Sequence, residues 1–401
     1  MKKLSEYCVK ITDGEHGSVP ETIGGGYYFL NNNNIREFDI YVNKDDKEIS
    51  YDTYAKINKR INLEEGDVLI STCGNLGKTL VAQDKHQKYA FSRSVGVIKT
   101  DKAKLNPYYL DYYFKLPSSQ RIINNRSKGG SQKHFYISDL ENFDIKIPSM
   151  NKQIDIVNVL RAIDKKMIIN NAINDNLEAQ AKMLYDYWFN QFEFPNEDGK
   201  PYKSSKGKMI WSEVLNREIP VDWDVRTFES FMAFEKGKIP EELIEHQIED
   251  FLPYLTIDVA NGGKPQYCNQ HKMPICHGET IMVMDGAASG DVYVGNKGVL
   301  GSTFSMISSQ DPVISDAMIF RILKSNSSIY KRANTGSTVP HANRKFIEKM
   351  HIALPKELTF FSETFDLLQK TINRNKIEIL KLTELRDWLL PLLMNGQITV
   401  K

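Results

Sequence analysis

Two matched heptad series constrain this chain more than any other feature. From Ile156 the residues Leu160, Ile163, Met167, Asn170, Asn174, Leu177, Ala181, Leu184 and Trp188 follow at alternating steps of four and three. From Phe361 the residues Phe365, Leu368, Ile372, Asn375, Ile379, Leu382, Arg386, Leu389 and Leu393 repeat that stepping, each 205 positions after its counterpart. A stripe that returns every 3.5 residues lies along one side of a helix and needs a second such helix to bury it. Each series predicts a helix of about forty residues, roughly 60 Å long at 1.5 Å per residue. Two equal stripes within one chain favour pairing inside the chain over pairing between chains. Asn170 and Asn375 stand at the same step: either polar residues tolerated at a seam edge, or a buried pair that fixes register.

The duplication extends beyond the helices. Leu4-Ser5-Glu6-Tyr7 is echoed by Phe228-Glu229-Ser230-Phe231. GDVLIS at 66–71 matches GETIMV at 278–283, each a glycine turn leading into a strand-like run and then a small-residue loop. GSQKHFYISDLENFDIKIP (130–148) matches GSTVPHANRKFIEKMHIALP (336–355), each ending on a proline before the period changes to that of a helix. Between the halves, 194–223 is rich in Pro, Gly, Ser and charge; it reads as a linker, with Trp211 and Trp223 as anchors on a neighbouring surface.

A length of 401 residues suits two or three domains. No stretch approaches the roughly 18 apolar residues of a membrane span, and the start MKKLSEYCVKITDGEHG lacks the apolar segment of a signal peptide. Cys8, Cys73, Cys268 and Cys276 make no disulfide framework and suit a reducing compartment, so a cytoplasmic protein is expected. Net charge is +1, but its distribution is uneven. Residues 112–138 carry five bases and no acid, and 321–349 carry seven bases against Glu348 alone; both basic stretches run into a repeated Gly-Ser segment.

If the helices pack antiparallel, the two copies become related by an approximate two-fold axis, with globular units at opposite ends of a stiff rod. Recognition units at a fixed separation read half-sites on duplex DNA, and unlike ends would read an asymmetric, bipartite site. The ordered set GDVLISTCGNLGKT, NPYYLDYYF, GSQKHFYISDLENFDIKIP and P-x4-Q (Pro148 to Gln153), followed by a helix with Ile-Asn-Asn, resembles the specificity subunit of type I restriction-modification enzymes. The second half matches through IPVDWDV, GETIMVMDGAASGD, GSTVP and ELRDWLLPLLMNGQI, so the resemblance covers nearly the whole chain. It departs at Phe360, in the place of Gln153, and at Asn343-Arg344-Lys345-Phe346, in the place of the Ile137, Ser138 and Leu140 pattern.

The resemblance implies an α+β chain with a pseudo-two-fold internal repeat and an antiparallel coiled coil. Its parts are target-recognition domain 1 (1–148), a central spacer helix (149–192), a linker (193–225), target-recognition domain 2 (226–355) and a C-terminal spacer helix (356–401). It also implies partners: double-stranded DNA, two adenine methyltransferase subunits, and restriction/translocase subunits. S-adenosylmethionine, ATP and Mg are expected on those partners, with no cofactor or metal in this chain and no catalytic residue.

Phosphate contacts call for Lys and Arg, and base choice for side chains with paired donors and acceptors. Ser131, Gln132, Lys133 and His134 in the first loop and Thr338, His341, Asn343 and Arg344 in the second are therefore base-contact candidates, against the alternative of solvated loops. Arg93 is the only charge in FSRSVGVI and is either a further base contact or half of a structural ion pair. Lys78, Lys128, Lys331 and Arg332 suit phosphates. Tyr108, Tyr109, Tyr112, Tyr113 and Phe114 at helical spacing read as core rather than as stacking platforms. The apolar run Trp388, Leu389, Leu390, Leu392, Leu393 and Met394 covers more than one helix face; the excess packs on a methyltransferase subunit or on the chain's own linker.

Catalytic signals fail. Gly77-Lys78-Thr79 has Thr72 where a phosphate loop needs its first glycine. Asn106-Pro107-Tyr108-Tyr109 lacks the second proline of an adenine-methyltransferase site, and nothing upstream forms a cofactor fingerprint. Cys268, His271, Cys276 and His277 match no standard zinc spacing, and there is no nucleophile elbow. The competing classes are a stand-alone DNA-modifying enzyme and a coiled-coil scaffold that associates with DNA without sequence preference.

Overall fold

The computed structural model describes residues 2–129, 133–336 and 338–400. The chain divides into two compact units, Met1–Ile169 with Glu378–Lys401, and Asn170–Ile377. Each unit holds a portion of both long helices, α1 (Met150–Tyr185) and α2 (Thr359–Met394), of 36 residues apiece. No position of either heptad series is exposed: Leu160, Ala181 and Ile372 are fully buried, and Leu177, Leu184, Leu368, Ile379, Leu382 and Leu389 are partly so. Ile156, Ile163 and Met167 are buried as well. α1 ends in a π-helical turn at Asp186–Asn190 that turns Trp188 and Phe189 inward.

In the first unit a four-stranded sheet runs in the order Cys8–Asp13, Val95–Thr100, Val68–Ser71, Thr79–Val81, with antiparallel neighbours. A three-stranded sheet runs Lys47–Ile49, Tyr27–Leu30, Tyr89–Phe91, the last pair parallel. Strand side chains alternate between faces, and here both faces are covered. Val68 and Ile70 point into a core with Tyr109, Leu110, Leu160 and Leu390, while Leu69 points into another with Leu30, Ile49 and Phe91. Gly66, just ahead of that strand, has φ +92°, a left-handed turn that other residues rarely adopt. Pro107–Lys115 starts on a cap: the Asn106 side chain accepts from the N–H groups of Tyr108 and Tyr109, and Pro107 takes the first helical position. Tyr109, Tyr112 and Phe114 of this helix are buried.

The second unit repeats the plan. Its main sheet runs Met232–Lys236, Phe304–Ser309, Thr280–Val283, Val292–Tyr293, the same order as in the first. The second sheet runs Tyr267–Asn269, Phe251–Leu255, Lys297–Leu300, Ile275–His277; its central pair is parallel, and among the described residues the fourth strand has no counterpart in the first unit. Ile281 and Val283 face one core and Met282 the other, and Gly278 repeats the left-handed turn at φ +126°. The echoed Leu4 and Phe228 segments are both single 3-10 turns with the first residue fully buried.

Within each unit the long helices run antiparallel. In the first, Asp164 and Met167 of α1 meet Arg386 and Thr383 of α2, so numbers rise on one helix as they fall on the other. In the second, Tyr185 and Trp188 meet Phe365 and Phe361. This direction decides the asparagine question. Asn375 donates Nδ2–H to Asn174 Oδ1 at 3.0 Å, both buried, so Asn375 pairs one turn away from the heptad equivalent Asn170. Antiparallel helices do not align equal steps, which is why the like-numbered pairing fails. Asn170 is buried too.

Three further expectations change. The 193–225 segment is more than a linker. Met209–Ser212 and Arg217–Pro220 form a hairpin, and Trp223–Thr227 pairs with His351–Pro355. Trp223 is buried in a collar of Phe189, Phe192, Phe194 and Phe361, whereas Trp211 is 61% exposed. Aromatic stacking, not composition, orders this stretch. At the start of α1, buried Gln153 accepts from Asn106 N–H (2.9 Å) and donates to the carbonyls of Lys104 and Pro148 (3.0 Å each). In the second unit Phe360 is exposed, and Ser362 does that work: its Oγ accepts from the N–H of the cap residue Ser315 at 2.8 Å. Finally, the helix Arg344–Glu348 buries Ile347 as Ile137–Glu141 buries Leu140, one residue beyond the alignment through Phe346.

Candidate nucleic-acid interface

In both units one histidine pins the basic segment to the main sheet. Lys128 and His134 exchange backbone bonds (2.9 and 2.8 Å), Phe135 N–H donates to Thr72 O (2.9 Å), and Thr72 N–H donates to Ser94 O (2.9 Å). Thr335 and His341 do the same (2.9 and 2.7 Å), followed by Ala342 to Met284 (2.8 Å) and Met284 to Thr303 (2.7 Å). A second segment crosses nearby in each unit. Glu15 N–H donates to Phe91 O (2.8 Å) and Gly14 N–H to Val95 O (3.2 Å); Lys238 and Gly237 make the matching bonds to Leu300 (3.1 Å) and Phe304 (3.0 Å). A side chain at Gly14 or Gly237 would place Cβ 2.0 Å from a carbonyl oxygen, so only glycine permits the approach.

These bonds correspond one for one; the further bond from Arg93 N–H to Glu15 O (2.9 Å) is replaced in the second unit by the Tyr254 hydroxyl, which accepts from Ser302 N–H and donates to Lys238 O (3.3 Å each). The side chains of the two frames differ: Glu15 matches Lys238, Arg93 matches Ser302 and Cys73 matches Asp285, around the shared His134 and His341. His134 Nε2 lies 3.9 Å from Cys73 Sγ and its ring stacks near Tyr136. His341 instead sets Nδ1 2.7 Å from Asp285 Oδ1. One backbone therefore presents two chemistries.

The first unit opens here into a cleft of about 600 Å³, whose lining includes Glu15, Phe29, Asn32, Arg93, His134 and Tyr136. The sequence reading named Arg93 and His134 among these, and the structure brings them together. Lys133 and Lys128 are exposed beside it, while Ser131 and Gln132 lie outside the described residues. Lys78 is elsewhere, in a second cavity of about 460 Å³ with Arg36, Glu37, Lys115, Arg386 and Asp387. Burial works against the Arg386 charge there, but Glu37, Asp387 and Asp164 hold the guanidinium above its ordinary range, and burial pushes the Asp164 carboxyl up.

In the second unit Thr338, Arg332 and His341 are exposed. Three candidates have internal partners: Lys331 pairs with Asp291, Arg344 with Glu348 (2.7 Å), and Asn343 caps its helix by accepting from Phe346 N–H (3.1 Å). Cys268 and Cys276 are buried and His271 and His277 exposed, and among the described residues no group of three or more His, Cys, Asp or Glu is placed to hold a metal. Among the described residues no helix is long and apolar enough to cross a membrane. Of the run at the end of α2, Leu390 and Leu393 enter the first unit's core, while Trp388 is 62% exposed beside exposed Leu385.

Sequence reasoning missed Glu15, Asn32 and Cys73. Only the pairing of strands far apart in the chain places them beside Arg93. The one available signal was glycine: Gly14 before Glu15 and Gly237 before Lys238 sit at the same place in the repeat.

A family model described as type I restriction modification DNA specificity domain matches residues 17–179 and again 220–385. The type I restriction enzyme MjaVIII specificity subunit of Methanocaldococcus jannaschii is 28% identical over 42% of each chain. The MjaIX specificity subunit of the same organism is 22% identical over 96% of this chain and 91% of its own. The crystal structure of a type I restriction-modification S subunit from M. genitalium shares the fold at TM-score 0.61 and 18% identity, covering 98% of this chain and 95% of that one.

Proposed function

The chain belongs to the type I restriction-modification DNA specificity family, and from that premise we propose that it reads a bipartite, asymmetric duplex site, one half per unit. The observation that carries the reading is the duplicated frame with divided chemistry: matching backbone ladders that carry Glu15, Arg93 and Cys73 in one unit and Lys238, Ser302 and Asp285 in the other. Matching frames would meet DNA alike, and unlike side chains would choose different bases. Exposed Lys128, Lys133 and Arg332 supply phosphate contacts and hence salt-dependent affinity.

The chain is non-catalytic in this reading. Two adenine methyltransferase subunits supply the methyl transfer with S-adenosylmethionine, and restriction/translocase subunits use ATP and Mg, all in the cytoplasm. The exposed Trp388 and Leu385 on α2 offer a methyltransferase subunit an apolar footing. The test is competition binding of the complex with its methyltransferase at fixed salt. A thousandfold or greater preference for one split sequence over random duplex is expected, and equal affinity for all duplexes would return the chain to the scaffold class. Purified chain alone is expected neither to methylate nor to cut DNA.

A further inference from the structure

We infer that Glu15 and Arg93 act together as the reader of a single G·C base pair in the first unit's half-site, an inference that rests on the DNA-reading function proposed above. Three observations carry it. The backbone of Arg93 is fixed on both sides: its N–H donates to Glu15 O (2.9 Å), and its carbonyl accepts from Thr72 Oγ1 (3.1 Å). The two residues are thus neighbours on adjoining segments, and both line the cleft. Among the described residues the Arg93 guanidinium makes no ion pair or hydrogen bond, so its five donors are held ready but unused. The Glu15 carboxylate accepts from Gly17 N–H through Oε1 (2.8 Å), which leaves Oε2 available.

The chemistry of this pair selects a ligand. Arginine addresses O6 and N7 of guanine bidentately, and a carboxylate accepts from N4 of the cytosine opposite, so side by side they complement one G·C pair in the major groove. A phosphate fits less well. The open oxygen of the Glu15 carboxylate in the same cleft would repel a phosphate while leaving a neutral base edge unopposed, whereas the cleft's other carboxylate, Asp13, is taken up by Arg60 (2.5 Å) and His16 (2.8 Å). The other unit does not repeat the pattern. Ser302 stands where Arg93 does, and Lys238, at the place of Glu15, donates its ammonium to Lys272 O at 2.9 Å. The G·C requirement therefore belongs to one half of the target only.

The test compares the N6-methyladenine motif in a host expressing the wild-type chain with its methyltransferase against hosts carrying Arg93→Ala, Glu15→Gln or Lys128→Ala. Arg93→Ala should keep the split motif, its gap and one half intact. It should turn a single G·C position of the other half degenerate, with a loss of roughly ten- to a hundredfold in preference at that position. Glu15→Gln should relax the same position to a smaller degree, which guards against misfolding of the arginine variant. Lys128→Ala should weaken methylation evenly. An unchanged motif, or an even loss at all sites for Arg93→Ala, overturns the inference and leaves the bipartite reading standing. Absence of any split motif with the wild-type chain overturns that reading itself.

Discussion

His86 shows how tightly a single residue can be specified inside the first unit. Its side chain has no exposure; Nδ1 accepts from Gln83 N–H at 3.1 Å, which leaves Nε2–H to donate to Asp39 at 2.7 Å. Burial lowers the imidazole below its ordinary 6.5, although Asp39 opposes the shift. The folded state thus binds the proton less readily than the unfolded one. Its contribution to stability is complete above the ordinary value and is lost as pH falls through the folded value. Thermal unfolding between pH 7 and 5 should fall more steeply for the wild type than for His86→Gln, and equal slopes would contradict the assignment. Gln153 is a second case. Its truncation to alanine removes the partner of one N–H and two carbonyls, all partly buried, so urea unfolding should report a loss of about 1–3 kcal/mol. That residue was legible in the sequence as the end of the P-x4-Q spacing from Pro148 that helps carry the family resemblance. Ser362 was not, because its role comes from a contact with Ser315, 47 positions away.

Among the elements, α1 and α2 were legible almost to their ends, since a stripe ten positions long leaves little freedom of interpretation. Their direction of pairing then fixed which asparagines meet. Asn375→Ala should cost about 1–3 kcal/mol, because Asn174 keeps its buried amide without a partner. Replacing Asn174 and Asn375 together by leucine should restore stability in the same denaturation experiment, at the expense of the register the pair specifies. A double variant no more stable than the single one would show that the pair does more than satisfy itself. The strands at 209–227 escaped the sequence reading because each has four or five residues in a charged, Gly- and Pro-containing stretch, and because aromatic neighbours from distant elements order them. On α2, Trp388→Asp should leave thermal unfolding unchanged but reduce co-purification of the methyltransferase subunit; retained assembly would place that interface elsewhere.

At the scale of the whole molecule, duplication does two jobs. It supplies two frames built on matching backbone bonds, and it frees a handful of side chains to differ between them; in the proposed reading these frames are what meets DNA. The repeat was visible in the sequence, as were Arg93 and the two histidines; the division of chemistry between the copies was not, because Glu15 and Lys238 become equivalent only once the sheets are formed. The most direct measurement is a methylation map after residues 1–148 are exchanged for those of another family member. One half of the methylated motif should change while the other half and the gap between them stay as they were. A change in both halves, or in neither, would contradict the claim that each unit reads its own half-site.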